Sequence, residues 1–129
     1  METKNRILLV DDEQAILRIL SIKLRISGYD VVTAPSGREA LELIDSARPD
    51  LMLLDVIMPG MNGFAVLQEL RTHSDLPVIV LSARPENARK ALSLGANDFL
   101  AKPFDVDDLI QRIEKVLDHK RWLTGSSPP

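Results

Sequence analysis

Four short apolar runs, each ending in a polar residue that can do chemistry, constrain this chain more than any other feature. Arg6 to Val10 runs into Asp11-Asp12, Leu51 to Leu54 into Asp55, Val78 to Leu81 into Ser82, and Phe99 to Ala101 into Lys102. Runs this short and this apolar have the pattern of strands covered on both faces. Tyr29 to Thr33 adds a fifth, β-branched run directly after Gly28, a residue that closes a helix in the left-handed conformation at little cost.

Segments with helical spacing lie between the runs. Ile16, Leu17, Leu20 and Leu24 share one face in the first, Ala40, Leu41 and Ile44 in the second, and Phe64, Leu67 and Leu70 in the third. The fourth is expected from about Pro85 to Leu94, opening at a proline and closing before Gly95; the fifth carries Leu109, Ile110, Ile113, Val116 and Leu117. Strand and helix thus alternate five times. Short connections between such elements require right-handed crossovers, so the pattern predicts a doubly wound α/β fold: a five-stranded parallel sheet with five helices on its two faces. Ligand sites in such folds lie outside the carboxyl ends of the strands.

At 129 residues, 45% hydrophobic and 27% charged, the chain has room for one domain with one core. Residues 1–123 are read as that domain, and Thr-Gly-Ser-Ser-Pro-Pro at 124–129 as a flexible tail or the start of a linker. A net charge of -3 gives no basic footprint for nucleic acid. The chain has no cysteine, no recognisable leader and no apolar stretch of spanning length, so a cytoplasmic protein without membrane contact is expected.

If the sheet is wound this way, Asp11, Asp12, Asp55, Ser82 and Lys102 converge on one edge. Two unit charges 4 Å apart repel by roughly 4 kcal/mol at an effective dielectric of 20, so three clustered carboxylates call for a cation. Oxygen ligands without His or Cys select a hard ion, and so few carboxylates leave space for water and a phosphate oxygen, which favours Mg²⁺ over a caged Ca²⁺. A hydroxyl and an ammonium beside that ion suit the three equatorial oxygens of a phosphoryl group. Asp55 is then the nucleophile and Asp11 and Asp12 hold the ion.

These residues resemble the receiver domains of bacterial response regulators. The resemblance rests on Val-Asp-Asp-Glu at 10–13, Leu-Leu-Asp-Val-Ile-Met-Pro-Gly-Met-Asn-Gly at 53–63, Leu-Ser-Ala at 81–83 and Gly-Ala-Asn-Asp-Phe-Leu-Ala-Lys-Pro-Phe at 95–104, and it covers about residues 5–120. It implies a flavodoxin-like sheet in the order 2-1-3-4-5, with Asp55 as phosphoacceptor. Asp12 is implied as direct Mg²⁺ ligand, Asp11 as a ligand largely through water, and the Ile57 backbone carbonyl as another. Ser82 becomes the switch hydroxyl, Phe99 the switch aromatic, and Lys102 the phosphate partner, followed by a cis peptide into Pro103. The implied donor is a histidine kinase or phosphotransfer protein. The implied reader of a changed helix 4, strand 5 and helix 5 surface is an output domain or partner protein, with a phosphorylation-dependent homodimer compatible with the pattern. The domain itself catalyses phosphoryl uptake and later hydrolysis. In such receivers the side chains two past the acceptor and two past the switch hydroxyl, here Ile57 and Arg84, flank the hydrolytic water and tune the lifetime of the phosphate.

Three departures from the family pattern stand out. Phe99 stands where tyrosine is common, Ile57 is apolar, and the stretch from Ser82 to Lys102 is about two residues shorter than usual. A small aspartyl-phosphate hydrolase shares the nucleophile and the metal, but such an enzyme wants a carboxylate where Ile57 stands. A flavin or nucleotide domain lacks its glycine-rich first loop here. A receiver-like interaction module that is never phosphorylated is the remaining alternative. Met-Pro-Gly-Met-Asn-Gly at 58–63 reads as the turn into the third helix, His73 and His119 as solvated side chains, and Trp122 either as an anchor for a neighbour or as an aromatic folded onto the last turn.

Overall fold

Residues 4–123 are described by a computed structural model of the chain, and the tail expected at 124–129 lies outside them. The strands are β1 (Arg6–Val10), β2 (Asp30–Ala34), β3 (Leu51–Asp55), β4 (Val78–Ser82) and β5 (Asp98–Ala101). They form one parallel sheet in the order β2-β1-β3-β4-β5. The helices are α1 (Gln14–Ile26), α2 (Gly37–Ala47), α3 (Gly63–Arg71), α4 (Asn87–Ser93) and α5 (Val106–Leu123).

The continuous apolar runs exist because both sheet faces are covered. Leu8, Val10, Met52, Leu54, Val78 and Val80 point into one core with Ala40, Val66, Leu67 and Leu70 from α2 and α3. Their neighbours Ile7, Leu9, Leu51, Leu53, Ile79 and Leu81 point the other way, against Leu17, Leu20 and Leu24 of α1 and Leu109, Ile113 and Leu117 of α5. The period-2 alternation of strand side chains sorts each run between the two cores. Gly28 has φ +101° and turns the chain from α1 into β2, the left-handed position its place after the first helix predicts.

At the amino end of the sheet, Arg6 Nε donates to Asp30 Oδ2 at 2.7 Å and the Arg6 backbone N–H to Asp50 Oδ2 at 2.7 Å, tying β1 to β2 and to the entry of β3. The opposite, carboxyl end carries Asp55 and Ser82 as the last residues of β3 and β4, and Asp11 and Lys102 directly after β1 and β5. Asn62 caps α3 by accepting from the Ala65 N–H at 3.0 Å, so the glycine-rich segment is the turn into that helix, as expected.

The boundary that differs most from the sequence reading is the start of the fourth helix, while β2 runs Asp30–Ala34 and β5 begins at Asp98, each one residue from its expected limits. The fourth helix begins at Asn87, because Pro85 and Glu86 are spent on a turn in which the Asn87 N–H reaches Arg84 O and the Ala88 N–H reaches Pro85 O. Trp122 is 76% exposed, so it is not folded onto the last turn of α5. No helix among the described residues is long and apolar enough to cross a membrane.

Candidate functional site

The parallel register decides which polar residues meet. Val10 pairs with Leu54, Asp55 with Leu81, and Ser82 with Ala101, so β1, β3, β4 and β5 deliver their last residues to a common edge. Ligand oxygens of Asp11, Asp12 and Asp55 all lie within 4.8 Å of one another. Asp11 is 1% exposed and Asp55 5%, whereas Asp12 faces solvent. Lys102 Nζ reaches Asp11 Oδ2 at 3.0 Å and Asp55 Oδ2 at 3.4 Å.

The closer partner of Lys102 is therefore Asp11, a pairing the sequence reading did not contain. Strand-end placement brings the three groups together, but only side-chain geometry decides which carboxylate takes the shorter bond. The other oxygens are held by the loops: Asp11 Oδ1 accepts from the Glu13 N–H and Asp55 Oδ1 from the Ile57 N–H, both at 3.0 Å. Burial, opposed by the Ile57 N–H and Lys102 and reinforced by Asp11, raises the Asp55 pKa above its ordinary value. Burial alone favours loss of the Lys102 proton, yet the bond to Asp11 and the charges of Asp55 and Asp11 outweigh it and raise the lysine pKa.

Three carboxylates against one ammonium leave the cluster formally two charges negative. An all-oxygen donor set with that deficit fits a hard divalent ion. Asp11, Asp12 and Asp55 are the residues that can hold it.

Ser82 is fully buried. Its Oγ accepts from the Arg84 backbone N–H and from Asn87 Nδ2, both at 3.1 Å, while the Lys102 backbone N–H donates to Ser82 O at 2.8 Å. Phe99 is half-buried against the core formed with α2 and α3. Ile57, two residues after Asp55, is 46% exposed, Arg84 is exposed, and the Lys102–Pro103 peptide is cis. His73 and His119 are exposed and stand apart from the cluster. Sequence reasoning missed Asn87; its one signal was a position five residues after Ser82.

The family model for the response regulator receiver domain matches residues 7–114. The chain belongs to that family. This receiver domain is 45% identical over 129 residues to a probable transcriptional regulator ycf27 of Guillardia theta, covering 98% of this chain and 51% of that protein. It is 45% identical over 115 residues to the response regulator MprA of Mycolicibacterium vanbaalenii, covering 87% of this chain and 50% of the relative. The receiver thus spans about half the length of these relatives. Among solved structures, the Vibrio cholerae chemotaxis protein CheY4 superposes with a TM-score of 0.83 at 34% identity, covering 88% of this chain and 99% of that one. The Thermotoga maritima response regulator TrrA, solved in complex with Mg(2+)-BeF, gives 0.81 at 36% identity, covering 87% and 98%. The protein is a receiver domain of a two-component response regulator, with the sheet order and helix placement of CheY-like proteins.

Proposed function

We propose that this receiver takes a phosphoryl group onto Asp55, with Mg²⁺ held by Asp11, Asp12, Asp55 and the Ile57 carbonyl, and that the modification acts through Ser82 and Phe99. The observation that carries this reading is the near-buried Asp55 carboxylate, placed at a strand end between two further acids and one lysine. An Asp55 oxygen attacks phosphorus in line, the bond from phosphorus to the donor breaks, and the donor leaves with the bonding electron pair. The ion supplies positive charge for phosphoryl oxygens. Lys102, already at 3.4 Å from Asp55, supplies more, and the Ser82 hydroxyl donates to a third oxygen. The added charge of about -1.5 to -2 biases the segment from Ser82 to Phe99 toward its second arrangement, because only that arrangement gains the Ser82 bond.

The donor is a histidine kinase or phosphotransfer protein in this reading, in the cytoplasm, and the reader of α4, β5 and α5 is an output domain, a partner protein or a second receiver. Arg112 organises that surface by donating to Asp98 Oδ1 at 3.0 Å and to Phe99 O at 3.1 Å. We place the receiver unit at residues 1–123. Incubation with acetyl phosphate and Mg²⁺ tests the assignment: intact mass should show one added phosphoryl group, labile to base and never acquired when the metal is chelated beforehand. A mass that stays unchanged would favour a receiver-like module that is not phosphorylated.

The metal reading gives a second expected result. A ligand that binds only the folded state adds RT ln(1 + [L]/Kd), about 1.4 kcal/mol at ten times Kd, which is about 4–6 °C for a domain of this size. Millimolar Mg²⁺ should raise the thermal midpoint by that order. Asp12→Ala removes an exposed ligand and should erase the rise; a variant that still responds fully would place the ion elsewhere.

Ile57 and Arg84 are proposed to set the lifetime of the phosphate. The Ile57 side chain offers no hydrogen bond to orient a water and lies half-exposed beside the acceptor. In-line hydrolysis depends on positioning above all. Ile57→Asn restores a group that can hold water and should speed loss of phosphate from the isolated domain several-fold. An equal or slower first-order rate would show that another residue sets the lifetime.

A further inference from the structure

We propose that Asn87 is a positioning residue that restrains the Ser82 hydroxyl in the unphosphorylated domain and ties it to the first turn of α4. The inference rests on the reading of Asp55 as phosphoacceptor and Ser82 as the hydroxyl that meets the phosphoryl group. A serine oxygen has two acceptor lone pairs and one proton to donate. In Ser82 both acceptor positions are taken, by the Arg84 backbone N–H and by Asn87 Nδ2, each at 3.1 Å. The first is the local turn that serine makes with the residue two ahead. The second reaches the opening residue of another element.

Asp55 is not among the hydrogen-bond partners of Ser82; its oxygens accept from the Ile57 N–H and the Lys102 ammonium. The hydroxyl proton stays free to donate, but the two accepted bonds pin Oγ in place, so carrying Oγ toward a phosphoryl group on Asp55 stretches and breaks the Asn87 bond. α4 makes no capping use of this side chain. Glu86 holds the N-cap position in helical conformation with no side-chain cap bond, and Asn87 stands one residue inside the helix, where asparagine has no propensity advantage. What the Asn87 amide does hold is Ser82. The short connection makes this reachable, since α4 starts only five residues after the switch hydroxyl. Breaking the bond frees the half-buried first turn of α4, so one hydrogen bond links the chemistry at Asp55 to the helix that opens the output surface.

Beryllofluoride with Mg²⁺, a phosphoryl mimic, tests this in the unmutated domain, Asn87→Ala and Asn87→Asp, followed through the amide signals of Ser82 and Phe99. Loss of one buried-side hydrogen bond should tighten mimic binding by Asn87→Ala roughly threefold to tenfold. The Ser82 amide of the free variant should move toward its bound position. Asn87→Asp has the opposite sign: a carboxylate accepts the Ser82 proton in a charge-assisted bond, and binding should weaken. A role confined to helix stability gives a different order, because an acid in the first turn complements the helix dipole and should serve α4 at least as well as asparagine. Affinities of both variants within about twofold of the unmutated domain, or weaker binding by Asn87→Ala, overturn the latch. So does a midpoint lower by more than about 5 °C in both, which would make Asn87 a packing residue. An unmutated domain that takes neither beryllofluoride nor phosphoryl overturns the phosphoacceptor reading and the latch with it, whereas normal uptake with unchanged variants overturns the latch alone.

Discussion

Asp55→Asn should abolish phosphorylation by acetyl phosphate and, at neutral pH without Mg²⁺, leave a domain more stable than the unmutated one. The amide keeps the shape of the side chain and still accepts from the Ile57 N–H, but it carries no nucleophilic carboxylate. Stability rises because burial, with Asp11 close by, raises the Asp55 pKa, so the ionised group is less at ease in the folded state than in the unfolded chain. A group raised in this way contributes stability that is fully present below its unfolded pKa, ordinarily 3.8, and is lost as pH rises through the folded value. The advantage of Asp55→Asn should thus be complete at neutral pH and vanish in acid, where the unmutated side chain is protonated as well. Lys102 moderates the gain, since it loses one of its two carboxylate partners. A change on the order of 1 kcal/mol, a few degrees in midpoint, is the expected size. Intact mass and thermal unfolding between pH 3 and 8 check both halves. Labelling that persists at full stoichiometry would move the acceptor to another residue.

How far the sequence reached depended on what kind of constraint each feature obeys. Strands buried on both faces are apolar through their middle, so β1, β3 and β4 stood out as continuous runs and their ends fixed where Asp11, Asp55 and Ser82 would emerge. A parallel sheet then leaves these groups no edge to reach but a common one, which is why the acidic cluster was legible without coordinates. The start of α4 was not. Proline suits a first helical turn, and nothing in Pro85-Glu86-Asn87 signals that the first two residues belong to a turn instead. The Lys102–Asp11 bond and the Asn87–Ser82 bond were hidden for a different reason: each depends on side-chain torsions, which strand and helix periodicity do not determine.

Gly63→Ala should damage both the fold and the proposed acceptor Asp55. Gly63 opens α3, and a Cβ built on it would lie 2.5 Å from Asp55 O, 2.5 Å from Val56 Cα and 2.9 Å from Val56 Cγ1. Two of these are backbone atoms at the exit of β3, so no side-chain rotation relieves the overlap. Its own N–H donates to Val56 O at 3.1 Å, which fixes α3 against the strand that carries the proposed phosphoacceptor Asp55. Alanine ordinarily improves a helix by about 0.5–1 kcal/mol over glycine. Here the methyl forces α3 away from β3, and overpacking of this kind costs about 1–3 kcal/mol and at times more. The net result should be a midpoint lower by roughly 5–10 °C. Phosphorylation should slow as well, because the displaced backbone is that of Asp55 and Val56, and in-line transfer tolerates little misplacement. Gly28→Ala separates the two effects. Its Cβ meets nothing within 4 Å, but φ of +101° strains any side chain there, far from the phosphoryl site. That variant should lose stability while taking up phosphate at the unmutated rate. Should Gly63→Ala match the unmutated domain in midpoint and labelling rate, the close approach of α3 to β3 does not govern how Asp55 is held.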